Sequence, residues 1–387
     1  MPEPVDMPRI KTLLAFLALI ALGLLGFGLW TKGRLAAAKG DTSGASPRLT
    51  GTTSSAAPKA DDTIFQAFDF VGGKPAAPDA LKTLSGLRTA LLALPKDEAV
   101  ARIRSFLDAG GDHSTGLSFG IVKDGTLSEW PSFRTFLLDT LLAVDPAAAA
   151  ATGREILGKP TTADEWALAL RNVARGDGTA DPDFLRAKTE ELIRNPAWQA
   201  DPSIGYLNAF DVLVHVQATA STPLLSGLIQ QKDRKDLAHA GFLTLDRLVQ
   251  SQPVDVLTRL AADTSLQQSR PEMVAQQFAR ADLRDPAQQA IVKNWLLDPA
   301  RSDVELRSFA GVYPNNNQFV SNNLLTAQAA APGDDLAAHD REALKVITAW
   351  ASDPAFSSVQ SHLRTMVSRL DGFVGSRDST LSSPPPE

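Results

Sequence analysis

The chain contains no cysteine among its 387 residues. A disulfide framework is therefore excluded, and so is a lipoprotein anchor, because that anchor needs a cysteine to carry the lipid. The absence of cysteine is compatible with either side of a membrane. An excess of positive charge is also missing, since the formal net charge is −6. Broad nucleic-acid binding requires a basic face, so we expect no nucleic-acid partner.

Sequence signatures of familiar enzymes are missing as well. The chain has no P-loop, no Gly-x-Gly-x-x-Gly, no His-Glu-x-x-His and no EF-hand loop. These motifs supply phosphate cradles or metal ligands. Their joint absence favours a protein without enzymatic activity. We therefore predict no catalytic residue, no metal site and no cofactor.

A long apolar run is the clearest feature that is present. It extends from Thr12 to Trp30, reads TLLAFLALIALGLLGFGLW and contains no charge. A helix rises about 1.5 Å per residue, so roughly 20 such residues cross a hydrocarbon core about 30 Å thick. We predict a single-pass anchor over residues 10–31, after a short N-terminal tail over residues 1–9, and hence a membrane partner for this run.

The anchor is expected to be retained rather than cleaved. The run is longer than the apolar region of a typical secretory signal, and the small-residue site at 36–38 lies beyond Lys32 and Arg34. Its basic flanks are nearly balanced, so orientation is not fixed by charge alone. We expect the N-terminus in the cytoplasm and the large C-terminal body outside it.

Two segments have the composition of flexible chain. Residues 32–62 are rich in Ser, Thr, Gly, Ala and Pro, which is typical of a tether. Residues 372–387 end in SSPPPE and are predicted to be a disordered tail. The body between them, residues 63–371, is predicted to be all-α.

Asp-Pro pairs recur along this body, and each pair is predicted to begin a helix. Asp accepts the free N–H groups of a first helical turn, and Pro suits the first helical position because its missing N–H would be unpaired there. Apolar residues recur at helical spacing between these marks. The predicted helices form consecutive pairs, by residue number 79–93 with 96–109, 131–143 with 145–157, 162–175 with 181–194, 203–218 with 221–230, 234–250 with 253–263, 269–280 with 285–297, 302–311 with a weaker 317–329, and 336–351 with 354–370.

The pairs recur at roughly 32–36 residues toward the C-terminal half, which is within the range of stacked helical repeats. One pair cannot bury its apolar stripes alone, so neighbouring pairs are expected to stack. In this architecture the body resembles the HEAT and armadillo class of α-solenoids. A compact multi-helix bundle is the alternative.

Residues 112–130 interrupt the helical pattern. They read DHSTGLSFGIVKDGTLSEW, and Asp124-Gly125 suits a type I′ turn in which both residues have positive φ. We predict a small β-hairpin inserted between the first two helical pairs. Insertions in repeat arrays often map to the binding face. The alternative is a local cap over the apolar edge of the first pair.

Candidate binding residues lie in and beside this insertion. They are Asp112, His113, Trp130 and Arg134. Adjacent Asp112, His113 and Ser114 cannot form the line of hydrogen bonds of a hydrolytic triad, so polar loop chemistry is favoured over catalysis. Arg134 needs a carboxylate from Asp139, Asp145 or another helix, and a structural ion pair is favoured over substrate binding.

Tyr313 and Asn316 are the remaining candidates, in an asparagine-rich stretch that follows Tyr313-Pro314. Such side chains hydrogen-bond a peptide or a glycan, but they are also common in turns and helix caps. Asp211 and His215 share one helical stripe, although two ligands fall short of the three or four of a metal site.

The favoured function is a membrane-anchored helical-repeat protein that binds or scaffolds another protein. The alternative is an envelope enzyme of unfamiliar type, such as a hydrolase.

Overall fold

The computed structural model describes residues 61–179, 181–317, 322–327 and 333–381. The predicted tail at 1–9, the anchor at 10–31 and the linker as far as residue 60 lie outside these ranges. Within the ranges, no helix is both long enough and apolar enough to span a bilayer. All described residues belong to one compact unit.

The described residues are mostly helical, which confirms the predicted all-α class. The first helices and the hairpin strands are α1 (Asp61–Gly72), α2 (Ala77–Leu92), α3 (Lys96–Ala109), β1 (Gly120–Ile121), β2 (Leu127–Glu129), α4 (Phe133–Val144), α5 (Pro146–Ile156), α6 (Ala163–Gly176), α7 (Pro182–Arg194) and α8 (Pro196–Ala200). The later helices are α9 (Ile204–Ala209), α10 (Asp211–His215), a 3-10 turn (Thr219–Ser221), α11 (Thr222–Ile229), α12 (Lys235–Ser251), α13 (Pro253–Ala262), α14 (Thr264–Ser269), α15 (Pro271–Phe278), α16 (Pro286–Leu297), α17 (Asp303–Val312), α18 (Gly333–Ser352), a 3-10 helix (Pro354–Val359) and α19 (Gln360–Leu381).

Asp-Pro pairs begin helices at four of the six places where they occur. At each of the four, the Asp carboxylate accepts a backbone N–H of the first turn and the Pro is the first helical residue, as at Asp145, Asp181, Asp285 and Asp353. The pairs at 201–202 and 298–299 lie before the helix starts, because serines further on provide the caps. The second of these serines forms a capping box with Glu305, a stronger start signal than Asp-Pro.

Three other features differ from the predicted pattern. Helix α1 lies where the linker was expected to end, and no helix was predicted there. The weak helix predicted at 317–329 is wrong for residues 322–327, which are non-helical. Helix α19 continues to Leu381, well beyond the predicted start of the tail at residue 372; residues 382–387 lie outside the described ranges.

Many helices stack in chain order. Helix α10 contacts α12, α12 contacts α15, and α15 contacts α17, while α13 of the intervening layer contacts α16. Side-chain hydrogen bonds made by residues in successive helices, or in the turns beside them, recur at sequence separations of 34–36 residues. The pairs are Asp211 with Arg247, Gln217 with Gln252, Asp246 with Arg280, and Gln267 with Arg301. This arrangement is compatible with a helical-repeat fold.

A two-stranded antiparallel hairpin lies inside the predicted insertion, with β1 paired to β2. Its turn is not type I′, because Gly125 has φ +76° while Asp124 does not have positive φ. The Gly125 N–H donates to the Val122 carbonyl at 2.8 Å, and the Val122 N–H donates to the Thr126 carbonyl at 2.9 Å. These bonds define a three-residue loop in which a type I turn is followed by a left-handed glycine.

Close approach of α5 to α6 depends on Gly176. A Cβ at this position would lie 1.8 Å from the Pro146 carbonyl oxygen. We expect Gly176→Ala to lower the free energy of unfolding by about 1–3 kcal/mol, because the two helices must separate to admit the methyl group. Urea denaturation followed by circular dichroism measures this loss. Gly178→Ala is the matched control, since nothing lies within 4 Å of its Cβ, and equal effects at both positions would contradict the argument.

Candidate functional site

Asp112 caps the first turn of α4. Its Oδ1 accepts the backbone N–H of Arg134 at 3.0 Å and the backbone N–H of His113 at 2.9 Å. A carboxylate in this position satisfies N–H groups that have no partner within the helix and interacts favourably with its N-terminal dipole. Asp112 therefore joins the start of the insertion to the first turn of α4, which follows the end of the insertion.

Arg134 forms a structural ion pair, and its carboxylate comes from another helix. The guanidinium lies 3.1 Å from Glu165 of α6 and donates to the Leu107 carbonyl of α3 at 2.8 Å. Burial raises the pKa of Glu165 above its ordinary value, although Arg134 opposes this shift. The pair ties α3, α4 and α6 together, and neither Asp139 nor Asp145 takes part.

His113 packs against α1 instead of approaching Ser114. Its ring stacks on Phe68 with 4.2 Å between ring centroids, and its carbonyl accepts the Phe133 N–H at 2.9 Å. Gly72 lies so close that a Cβ there would be 2.7 Å from His113 Nε2. The His113 ring is thus engaged with α1, and the Asp112 carboxylate with the first turn of α4.

Trp130 is buried and belongs to a polar network around Asp139. Its indole Nε1 donates to Asp139 Oδ2 at 3.0 Å, and the Leu127 N–H donates to Asp139 Oδ1 at 3.2 Å. Arg88 of α2 and Arg171 of α6 form ion pairs with the same carboxylate. Asp139 of α4 therefore links the hairpin to α2, which precedes it in sequence, and to α6, which follows it.

Asp139 and Arg171 are both fully excluded from solvent. Burial raises the pKa of Asp139, but the positive charges of Arg171 and Arg88 and the hydrogen bonds that they and Trp130 donate outweigh it, so this pKa is lowered. Arg171 also donates to the Gly125 carbonyl at 3.0 Å and to the Asn172 side-chain oxygen. The hairpin is thus tied to the buried core through Asp139 and Arg171.

Tyr313 and Asn316 are not brought together with the other candidates. Tyr313 is fully buried and stacks on Phe309 of α17, and its pKa is raised well above its ordinary value by burial and by the negative charges of Asp282 and Asp340. Asn316 is exposed. The neighbouring Asn315 caps the end of α15 by donating its N–H to the Ala279 carbonyl at 2.8 Å.

The six residues from Asn322 to Ala327 form a short non-helical segment that contacts the hairpin, and we call it the strap. Asn322 Nδ2 donates to the Ile121 carbonyl of β1 at 3.0 Å, across 201 residues of sequence. Arg175 at the end of α6 donates to the Leu324 carbonyl at 2.7 Å and also to the Asp124 carbonyl. The Leu324 side chain is fully buried.

Asp211 of α10 holds the other half of the strap. Its Oδ2 accepts the N–H groups of Leu325 at 2.7 Å and Thr326 at 3.0 Å, while its Oδ1 accepts the Thr326 hydroxyl at 2.5 Å. Arg247 of α12 lies 2.8 Å from the same carboxylate and balances its charge. A buried carboxylate that accepts this many hydrogen bonds is fully satisfied without a metal. Among the described residues no cluster suited to a metal ion is found.

Sequence reasoning missed the strap and Asp139 as the centre of the network. The strap lies within the weaker helix that was predicted at 317–329. A signal for Asp139 was available, since an acidic residue in the strongly apolar segment FRTFLLDTLLAV requires a buried cation. No family model, no curated protein and no solved structure matches the chain.

Proposed function

We propose that the protein is a membrane-anchored α-solenoid, similar in architecture to HEAT and armadillo arrays, that binds another protein and holds it near the membrane. The observation that carries this proposal is the series of side-chain hydrogen bonds at separations of 34–36 residues, made by residues in successive helices or in the turns beside them. Stacked units of this kind create long surfaces for protein contact, whereas a compact bundle has no reason to repeat such pairs.

The anchor gives this binding function its mechanism. A single apolar helix over residues 12–30, followed by a Ser/Thr/Gly/Pro-rich tether, would confine the body within a short distance of the bilayer. A partner bound there experiences a raised effective concentration without any new contact. We propose that the body lies outside the cytoplasm. A reporter that is active only in the cytoplasm, fused after Glu387, should therefore remain inactive.

The arrangement around the insertion supports binding over hydrolysis. Asp112 is used as a helix cap, Arg134 is paired with Glu165, and His113 is stacked on Phe68. A general base needs hydrogen-bond reach to a nucleophile, and these three side chains instead contact structural partners.

Affinity purification after crosslinking in membranes tests the proposal. Three tagged forms are compared: the full chain, a form lacking residues 1–34, and a form in which residues 12–30 are replaced by an unrelated apolar span of equal length. We expect the same protein to be recovered with the first and third forms and to be depleted with the second. Recovery of no specific protein with the full chain would overturn the binding role, and equal recovery with all three would overturn the tethering mechanism.

A further inference from the structure

We propose that a groove between α11 and α13 binds an arginine side chain of the partner protein. The groove has a volume of about 480 Å³, and its polar lining residues are Thr222, Ser226, Gln230, Arg259 and Asp263. This volume lies within the range of clefts that hold small ligands and is ample for one large side chain. The inference rests on the proposed binding function and specifies where on the body the partner binds.

Small residues leave the space in this groove. Gly227 lies inside α11, where glycine is unfavourable for a helix, and nothing lies within 4 Å of a Cβ added there. Pro223 and Ala262 supply apolar parts of the lining. The methylene groups of an arginine pack well against such surfaces while its head group reaches polar neighbours.

Two contacts join the α11 side of the groove to the α13 side. The Ser265 hydroxyl of α14 donates to the side-chain oxygen of Gln230, just after α11, at 3.3 Å. The Thr219 side chain, just before α11, hydrogen-bonds to Asp255 of α13 and lowers the pKa of that carboxyl. The groove is therefore already formed without a partner, which reduces the cost of ordering it on binding.

Ser226 brings a buried hydroxyl to the groove. The residue is only 3% exposed, and its hydroxyl has no hydrogen-bond partner within the part of the chain that the structure describes. A serine inside a helix often donates to the carbonyl four residues back, but this one does not. A buried hydroxyl without a partner is unfavourable, so it is available to accept an N–H from a group that enters the groove.

The charge of the groove is negative. Asp263 caps α14 by accepting the Leu266 N–H at 2.9 Å, and it forms no ion pair with any described residue. Arg259 already pairs with Asp255 at 3.2 Å, so its positive charge is balanced and the carboxylate of Asp263 remains uncompensated. A cationic head group is the electrostatic complement of this arrangement.

The body has the same sign of charge as the groove. The whole chain carries −6, but residues 1–60 contain seven basic and three acidic residues, so residues 61–387 carry −10. A basic partner surface is therefore attracted to the body before any specific contact forms. Arginine suits the groove better than lysine, because its planar head group has five N–H donors for several acceptors at once.

A labelled peptide, Gly-Gly-Arg-Gly-Gly, is the probe. It is titrated into the full chain in detergent micelles and followed by fluorescence anisotropy, beside two peptides with citrulline or glutamate in place of the arginine. Citrulline has nearly the shape of arginine without its charge. We expect the arginine peptide to bind at least fivefold more tightly than either; equal binding of the three, or tighter binding of the glutamate peptide, would overturn the inference.

Asp263→Asn tests the carboxylate without removing the helix cap, because asparagine caps helices as well as aspartate does. We expect this variant to bind the arginine peptide at least fivefold more weakly than the unmodified chain. Asp353→Asn is the matched control, since Asp353 caps a helix in the same way through the Ala355 N–H at 2.9 Å and does not line the groove. Its affinity should remain within twofold, and equal losses in the two variants would contradict a specific site.

Gly227→Leu tests the space of the groove. The added side chain enters a region without close neighbours, so we expect the fold to be kept, as verified by circular dichroism, and binding of the arginine peptide to be lost. Arg259→Gln removes a like charge from the lining and should tighten binding at least twofold. Undiminished binding by folded Gly227→Leu, or weaker binding by Arg259→Gln, would overturn the inference.

The Gly227→Leu variant also separates this inference from the scaffold proposal. Equal recovery of a partner from membranes with this variant and with the unmodified chain would overturn the groove as the binding site and leave the scaffold proposal intact. Arginine-dependent peptide binding without any recovered partner would support the groove as an arginine site and contradict only the scaffold proposal.

Discussion

Asp139→Asn is expected to lower the free energy of unfolding by about 3–5 kcal/mol, the largest effect of any single substitution argued for this chain. The carboxylate is fully buried and pairs with Arg171, which is also fully buried, at 2.7 Å. An asparagine fills the same volume but leaves the guanidinium without a countercharge. The cost is therefore that of a buried, uncompensated cation and not that of a lost contact.

The hairpin supplies a second component of this effect. Trp130 and the Leu127 N–H both donate to Asp139. An asparagine accepts through one oxygen only, so at least one of these buried donors loses its partner. We therefore expect local loosening of the hairpin as well as global destabilisation, visible as faster hydrogen exchange of the Leu127 amide.

Chemical denaturation at neutral pH measures the global effect, and Asp255→Asn is the matched control. Asp255 pairs with Arg259 at 3.2 Å, and both side chains are more than two-fifths exposed. Exposed pairs of this kind contribute little, so its loss should change the free energy of unfolding by no more than about 0.5 kcal/mol. Equal losses for the two variants would show that burial does not determine the cost.

A double variant separates the charge from the packing. Asp139→Asn combined with Arg171→Met removes both members of the pair and keeps an unbranched side chain at position 171. We expect the double variant to be more stable than Asp139→Asn alone, because the fully buried cation is gone and the remaining one, Arg88, keeps 20% of its side chain exposed to solvent. A further loss of stability in the double variant would contradict this account and would indicate that packing of the Arg171 side chain dominates.

Helix starts were predictable from sequence because their determinants are local. The carboxylate at Asp145 bonds to N–H groups two and three residues away, so the signal lies within one turn. The same locality explains why α1 could have been found. Helix α1 begins at Asp61-Asp62, and its apolar residues Ile64, Phe68 and Val71 follow helical spacing. They adjoin the Ser/Thr-rich tether, whose composition is typical of flexible chain.

The candidate site was only partly predictable because its contacts are not local. An ion pair for Arg134 could be expected from its apolar surroundings, but its partner, Glu165, is 31 residues away on another helix. The strap contacts were not accessible at all. Arg175 and Asp211 bind carbonyl and N–H groups of the strap, and every residue carries these groups, so the sequence contains no pattern that marks the recipient.

Gly125→Ala is expected to lower the free energy of unfolding by about 2–5 kcal/mol, through two causes. The left-handed backbone at this position, φ +76°, costs about 1–2 kcal/mol for a residue with a Cβ. That Cβ would also lie 2.2 Å from the Leu324 carbonyl oxygen and 2.2 Å from a guanidinium nitrogen of Arg175. Admitting the methyl group therefore requires the strap to move away from the hairpin, which adds about 1–3 kcal/mol.

Gly116→Ala separates these two causes. Gly116 has the same backbone conformation, φ +73°, but nothing lies within 4 Å of its Cβ. Its substitution should therefore cost only the conformational term, about 1–2 kcal/mol. Hydrogen exchange gives the decisive comparison, because the Leu325 and Thr326 amides donate to Asp211 only while the strap is in place. We expect both amides to exchange faster in Gly125→Ala than in Gly116→Ala; equal protection in the two variants would mean that the strap does not depend on the space that Gly125 leaves beside the hairpin.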